Sequence, residues 1–166
     1  MGRKRLARFY SLLAVLYVGG FIGFAQTIPS DKEDLEKGAG ASMAKYADLN
    51  GYPGPKHILE LQDTLKLSNK QKREIEALFN EMKSNAVAKG MLIVEKERKL
   101  EALFRNEQAT PTEVNSLSTE IGKLRGELRA VHMNTHIKAK EILTKEQATL
   151  YNMIRHGSKQ LKHEAH

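Results

Sequence analysis

Apolar residues recur at intervals of three and four along most of the chain, which is the periodicity of amphipathic α-helices. One stretch covers residues 55–66 and begins at Pro55, a residue suited to the first position of a helix. Two long stretches run from Ser68 to about Arg105 and from Thr110 to about Ile142, and a short one runs from Thr144 to about Gly157. The pattern predicts an all-α domain of four helices over residues 55–157.

Capping motifs support these helix starts. Ser68 with Gln71 and Thr144 with Gln147 have the spacing of a capping box, in which two side chains satisfy backbone donors at a helix N-terminus. Thr110 precedes Pro111 and a glutamate, which again predicts a start. Each long helix is on the order of 50 Å long, and the short link between them predicts a long antiparallel helical hairpin with two short flanking helices.

A hairpin two helices thick leaves apolar residues uncovered on both faces. We therefore expect the short helices to fold across it and a second copy of the chain to complete the core as a homodimer. Gly90 is predicted to lie opposite Gly126, with Gly122 one turn away, so that the long helices can approach each other closely.

The N-terminal residues have the order of a secretory signal. Basic residues from Arg3 to Arg8 precede the apolar run 9–24, which ends in small residues at Ala25. Residues 1–25 are thus predicted to be a signal peptide, with an uncleaved membrane anchor as the alternative. Residues 26–54 lack sustained periodicity and predict a flexible arm, and residues 158–166 predict a frayed tail. We expect a periplasmic protein, attached to the inner membrane only if the segment is retained.

Composition excludes several functions. There is no cysteine, so disulfides and zinc–thiolate sites are absent. Four of the seven net positive charges lie in residues 1–25, and the remaining charges alternate in sign, which argues against nucleic-acid binding. No phosphate-binding glycine loop or nucleophile motif is present, so we expect neither an enzyme nor an organic cofactor.

Histidines are the candidate functional residues. His132 and His136 are four residues apart on one predicted helix face, a spacing that can chelate a metal ion. Counting from the predicted turns places Glu81 near them and His57 at the level of His136. We therefore predict a metal site of His57, His132 and His136, with Glu81 or Glu60 as a fourth ligand. These donors suit zinc, copper(II) or nickel. The alternative is that the histidines share a level but lie on different, solvated faces.

Two segments resemble the paired Leu-Thr-x-x-Gln motifs of the periplasmic Spy/CpxP superfamily of stress proteins. They are Leu67-Ser68-Asn69-Lys70-Gln71 and Leu143-Thr144-Lys145-Glu146-Gln147, with Ser68 where threonine is usual. Further segments resemble the heavy-metal sensor and resistance branch (CnrX/ZraP-like): residues 53–60, residues 128–132, and Tyr151 with Arg155 and Gly157. The resemblance covers about residues 53–157.

Two roles are implied by this resemblance. The metal branch implies a protein that senses or sequesters a divalent transition metal, with a membrane signalling protein as a partner. The chaperone members imply an ATP-independent holdase or stress adaptor, whose dimer binds unfolded client proteins on a basic and apolar surface. The sequence leaves both roles open.

Overall fold

The computed structural model describes residues 29–39 and 43–157. The predicted signal or anchor and the predicted C-terminal tail lie outside these residues. The described part contains helices and no strand, so the all-α class is confirmed. Its elements are α1 (Lys32–Lys37), α2 (Lys45–Leu49), α3 (Pro55–Glu60), α4 (Asn69–Arg105), α5 (Pro111–Ile142) and α6 (Lys145–His156). None of these helices is long and apolar enough to cross a membrane.

The two capping boxes form as predicted. The Ser68 hydroxyl accepts from the Gln71 backbone N–H, and the Gln71 side chain accepts from the Ser68 N–H at 3.0 Å. Thr144 and Gln147 make the same reciprocal pair at the start of α6. The cap at Thr110 also forms, with its hydroxyl accepting from the Glu113 N–H. Local hydrogen bonding therefore explains where these three helices begin.

Helices α4 and α5 form the long axis of the molecule. Ion pairs join Lys89 to Glu127 at 2.6 Å and Lys96 to Glu120 at 2.5 Å. From the first pair to the second, the residue number rises from 89 to 96 in α4 and falls from 127 to 120 in α5, so the two helices run antiparallel. The link between them is short, comprising residues 106–110.

The short helices α3 and α6 pack at the end where α4 starts and α5 ends. The core there is centred on Ile58 of α3, Ile75 of α4 and Tyr151 of α6, each 0% exposed. The first predicted helix, residues 55–66, is shorter than expected, because α3 ends at Glu60. Turns follow it, and Lys66 has a φ of 50°, a left-handed conformation that interrupts a helix.

Residues 29–39 and 43–54, which we call the strap, contain two short helices where the sequence predicts a flexible arm. Leu35 of α1 is 2% exposed in a second core with Ile93 of α4 and Leu128 of α5. Helices of six and five residues are marginal by themselves, so tertiary packing of the strap supplies their stability. A helical period of apolar residues cannot be recognised in helices this short.

The expected contact between glycines of α4 and α5 is wrong. Gly90 is buried against α1, and a Cβ atom at residue 90 would overlap the Leu35 carbonyl oxygen. A Cβ atom at Gly122 or Gly126 would have no neighbouring atom within 4 Å, so both residues face open space. The glycine that allows close approach therefore serves the strap instead of α5.

The far end of the α4/α5 pair lacks a core. No residue between Glu95 and Glu120 is buried, and Phe104 is 60% exposed. Two helices alone cannot enclose side chains here, since each has only one neighbour.

Candidate metal site

A cleft of about 630 Å³ lies between the strap and the α3, α4 and α5 helices, and we call it the histidine cleft. His57 enters it from α3, and His132 and His136 enter it from α5. Phe79, Met82 and Lys83 of α4 complete that side. The strap forms the opposite wall through residues 37–39, Ala44, Lys45 and Asp48. The structure thus brings the three predicted histidines to one cavity.

His132 is the most deeply buried of the three, with 6% exposure. Its Nε2 atom is buried and has no hydrogen-bond partner among the described residues. Burial lowers the pKa of His132 below its ordinary value, and the neighbouring His136 adds to that shift. The ring is therefore neutral at pH 7, the form in which imidazole binds metals.

His136 is held by the strap. Its Nδ1 atom lies 2.7 Å from the backbone carbonyl oxygen of Tyr52. A carbonyl oxygen only accepts, so Nδ1 carries a proton and Nε2 is the ring nitrogen left to bind a metal. Gly54 leaves room for this ring, because a Cβ atom there would stand 3.0 Å from both Cε1 and Nε2 of His136.

His57 is held in the same way by a carboxylate. Its Nδ1 atom lies 2.9 Å from Oε2 of Glu60, and this hydrogen bond is the main cause that lowers the pKa of Glu60. An ionised carboxylate accepts only, so Nδ1 of His57 carries a proton and Nε2 is the ring nitrogen left to bind a metal. Glu60 therefore orients a histidine in this structure.

The two predicted acidic ligands do not line the cleft. Glu60 binds Nδ1 of His57 without lining the cleft, and Glu81 lines a different groove, which it shares with Glu74 and Lys138. Each residue of an α-helix turns by about 100° from the last. Because Met82 and Phe79 face the cleft, Glu81 is turned away from it. In the described part of the chain, no three histidine or acidic side chains lie close enough together to hold one metal ion.

Charges around the cleft are mainly positive. Lys37, Lys45, Lys56 and Lys83 line it together with Asp48, the one carboxylate among the described lining residues. The Asp48 carboxylate also accepts a hydrogen bond from the hydroxyl of buried Tyr151 at 3.1 Å. The pKa of Tyr151 is raised, mainly by burial and secondly by the negative charge of Asp48. This rim opposes a free cation, so affinity for a metal must come from the imidazole nitrogens.

The strap's part in this site is not visible in the sequence. Tyr52 acts through its backbone carbonyl, which no side-chain motif indicates. Lys37, Lys45 and Asp48 belong to a segment without helical periodicity, so no pattern in the sequence predicts that they lie near the histidines. The turns around Gly54 can be read from the sequence, but not the close approach to His136 that this glycine permits.

Comparison with known proteins gives no relative to this chain: no family model matches, nor does any curated protein or solved structure. Function must therefore be argued from the site itself.

Proposed function

We propose that this protein is a periplasmic metal-binding stress or resistance protein that senses or sequesters a divalent transition metal at the histidine cleft. The observation that carries the proposal is the state of the three rings. His57 and His136 each donate from Nδ1 to an oxygen, and buried His132 has an Nε2 without a partner among the described residues.

This arrangement has the outer contacts of a histidine metal site. Metal-bound histidines nearly always donate their second ring N–H to a carboxylate or a backbone carbonyl, which fixes the tautomer and the ring orientation. Glu60 and Tyr52 supply one acceptor of each kind. Three imidazoles suit zinc, copper(II) or nickel. Glu60 would then support His57, and a metal ion would have to draw the three rings closer than they lie here.

Calorimetric titration of the exported protein with zinc, copper(II) and nickel at neutral pH tests this proposal. We expect the His132→Ala/His136→Ala variant to lose at least tenfold in affinity, on the order of 1.4 kcal/mol or more. His156→Ala is the matched control, because His156 lies on α6, outside the cleft. Equal affinity in the double variant and the wild type would refute a site at these histidines.

A second candidate is a holdase chaperone, and exposed apolar residues of α4 favour it. Met91 is 61% exposed and Leu92 46%, and both line one groove along α4 with Val94 and Ala102. Exposed apolar side chains grouped on one element are typical of protein-binding surfaces. This surface would bind unfolded client proteins without nucleotide or metal.

Suppression of aggregation of a denatured client by the purified protein tests the holdase role. The Met91→Ser/Leu92→Ser variant should lose protection, and the His132→Ala/His136→Ala variant should retain it. Absence of protection by the wild type, with and without zinc, would exclude this role.

The same α4 surface favours the homodimer expected from the sequence. We propose that the antiparallel α4/α5 pair is the long hairpin implied by the Spy/CpxP resemblance and that a second copy covers its exposed side. Sedimentation equilibrium of the wild type and of Met91→Ser/Leu92→Ser measures this: the variant should dissociate, and a monomeric wild type at micromolar concentration would contradict the proposal. Mass spectrometry of the exported chain tests the periplasmic location, since a start at Gln26 means a released domain.

A further inference from the structure

We propose that the strap is a closing device for the histidine cleft, and that docking of the strap on the α4/α5 pair raises the affinity of the cleft for a metal ion. This inference rests on the proposed metal-binding function and concerns how that site is regulated. Its basis is that one segment both builds the cleft and is anchored at points outside it.

The first anchor is an ion-pair cluster at the start of the strap. Arg125 of α5 donates to both carboxylate oxygens of Asp31, at 2.7 and 3.3 Å, and to Glu97 of α4 at 3.0 Å. A bidentate arginine–carboxylate pair fixes orientation as well as distance. None of these three residues lines the histidine cleft.

The second anchor is the contact of α1 with Gly90. Leu35 is 2% exposed among Ala86, Ile93 and Leu128, and its carbonyl oxygen occupies the space that a side chain at residue 90 would fill. Only glycine admits the α1 backbone this close to α4. The strap therefore docks at a place that a single methyl group can block.

At its other end the strap belongs to the metal site. The Tyr52 carbonyl holds Nδ1 of His136, and Lys37, Lys45 and Asp48 form one wall of the cleft. Release of the strap would remove the acceptor that fixes the His136 tautomer. Loss of such an outer partner typically costs about 10- to 100-fold in metal affinity. Coupling of this kind is reciprocal, so a bound metal must also hold the strap more firmly.

Two glycine variants make a matched test. Gly90→Ala places a methyl group against the strap backbone, whereas Gly126→Ala makes the same change on α5 where nothing lies within 4 Å. Both replacements favour the helix itself, so neither is expected to unfold it. Hydrogen exchange of residues 29–39 and 43–54 reports strap docking, and calorimetry with zinc reports the site.

We expect Gly90→Ala to speed exchange in the strap and to lower zinc affinity at least about tenfold, with Gly126→Ala unchanged in both measurements. Asp31→Asn should act in the same direction, because it removes the negative charge and the bidentate pairing of the first anchor without adding a steric clash. In the wild type, zinc should slow exchange of the strap.

The proposal is overturned if Gly90→Ala and Asp31→Asn release the strap while zinc affinity stays the same, an outcome that leaves the metal site intact. It is also overturned if neither variant changes exchange of the strap. A wild type that binds no zinc, copper(II) or nickel removes the proposed function, and the coupling with it, whatever the exchange data show.

Discussion

The side chains of the two capping-box glutamines, Gln71 and Gln147, are hydrogen-bonded to each other, and this contact leads to a specific prediction about stability. Besides capping α4, Gln71 donates to the Ile142 carbonyl oxygen at 2.9 Å and to the Gln147 side-chain oxygen at 2.7 Å. Gln147 in turn donates to the Leu65 carbonyl oxygen at 3.1 Å. These bonds connect the start of α4, the end of α5, the start of α6 and the loop after α3.

Replacement of Gln71 by alanine removes three bonds between elements, including a longer one of 3.3 Å that its side-chain oxygen accepts from Gln147, and one capping bond. A net value of about 1 kcal/mol for each of the two shorter bonds between elements, with the few tenths by which alanine favours a helix offsetting the longer bond, predicts a loss of about 2 kcal/mol in unfolding free energy. Gln147→Ala should cost a similar amount.

Urea denaturation at a fixed protein concentration measures these losses, and a double-mutant cycle isolates the contact between the two side chains. We expect Gln71→Ala/Gln147→Ala to show a coupling of about 1 kcal/mol. Gln108→Ala in the exposed loop is the control, with a change within about 0.5 kcal/mol. Additive losses, or a Gln71→Ala loss below about 0.5 kcal/mol, would refute the role assigned to this pair.

Three further changes test the packing and the strap. Leu128→Ala, at a position 2% exposed beneath α1, should cost about 3 kcal/mol in urea denaturation; a loss below about 1 kcal/mol would contradict this core. Tyr151→Phe should cost about 1 kcal/mol, because the bond to Asp48 is lost and the aromatic volume is kept; an unchanged urea midpoint would count against that bond. The Arg125 hydrogen bond lowers the pKa of Asp31 below its ordinary value, so the stabilisation from this pair is complete above the ordinary pKa and disappears as pH falls through the lower folded-state pKa. Asp31→Asn should therefore flatten the pH dependence of the urea midpoint between about pH 5 and pH 2, and an identical profile in the variant would show that the pair contributes nothing.

The helix starts were predictable because their causes are local. A cap at Ser68 or Thr144 depends on residues within three positions, and the sequence contains them. The contact between Gln71 and Gln147 joins positions far apart in the chain, so no spacing within either motif indicates it. The paired motif is visible in the sequence, but its use as a joint between three helices is a tertiary property.

The strap shows where periodicity stops being informative. Helices of six and five residues contribute too few apolar positions for a 3.6-residue period, and α1 buries only Leu35. One contact that fixes this segment is the close approach of its backbone to Gly90 on another helix. A glycine inside a helical pattern signals close approach, but the sequence does not say which element approaches.

For the histidine site, too, the sequence predicts one part of the geometry and not the other. It predicts the height of each side chain along the helices, but not the helix face on which the side chain lies. Counting residues from a predicted turn gives the height of a side chain along two antiparallel helices, and it placed His57, His132 and His136 at one level, where they line one cleft. Height does not give rotation about the helix axis, which advances by about 100° per residue. Glu81 lies at the same height as the histidines but on another face of α4, because Phe79 and Met82 occupy the face turned toward the cleft. Rotation is set by which neighbours bury the helix, so the histidines and the strap that covers them define the site together.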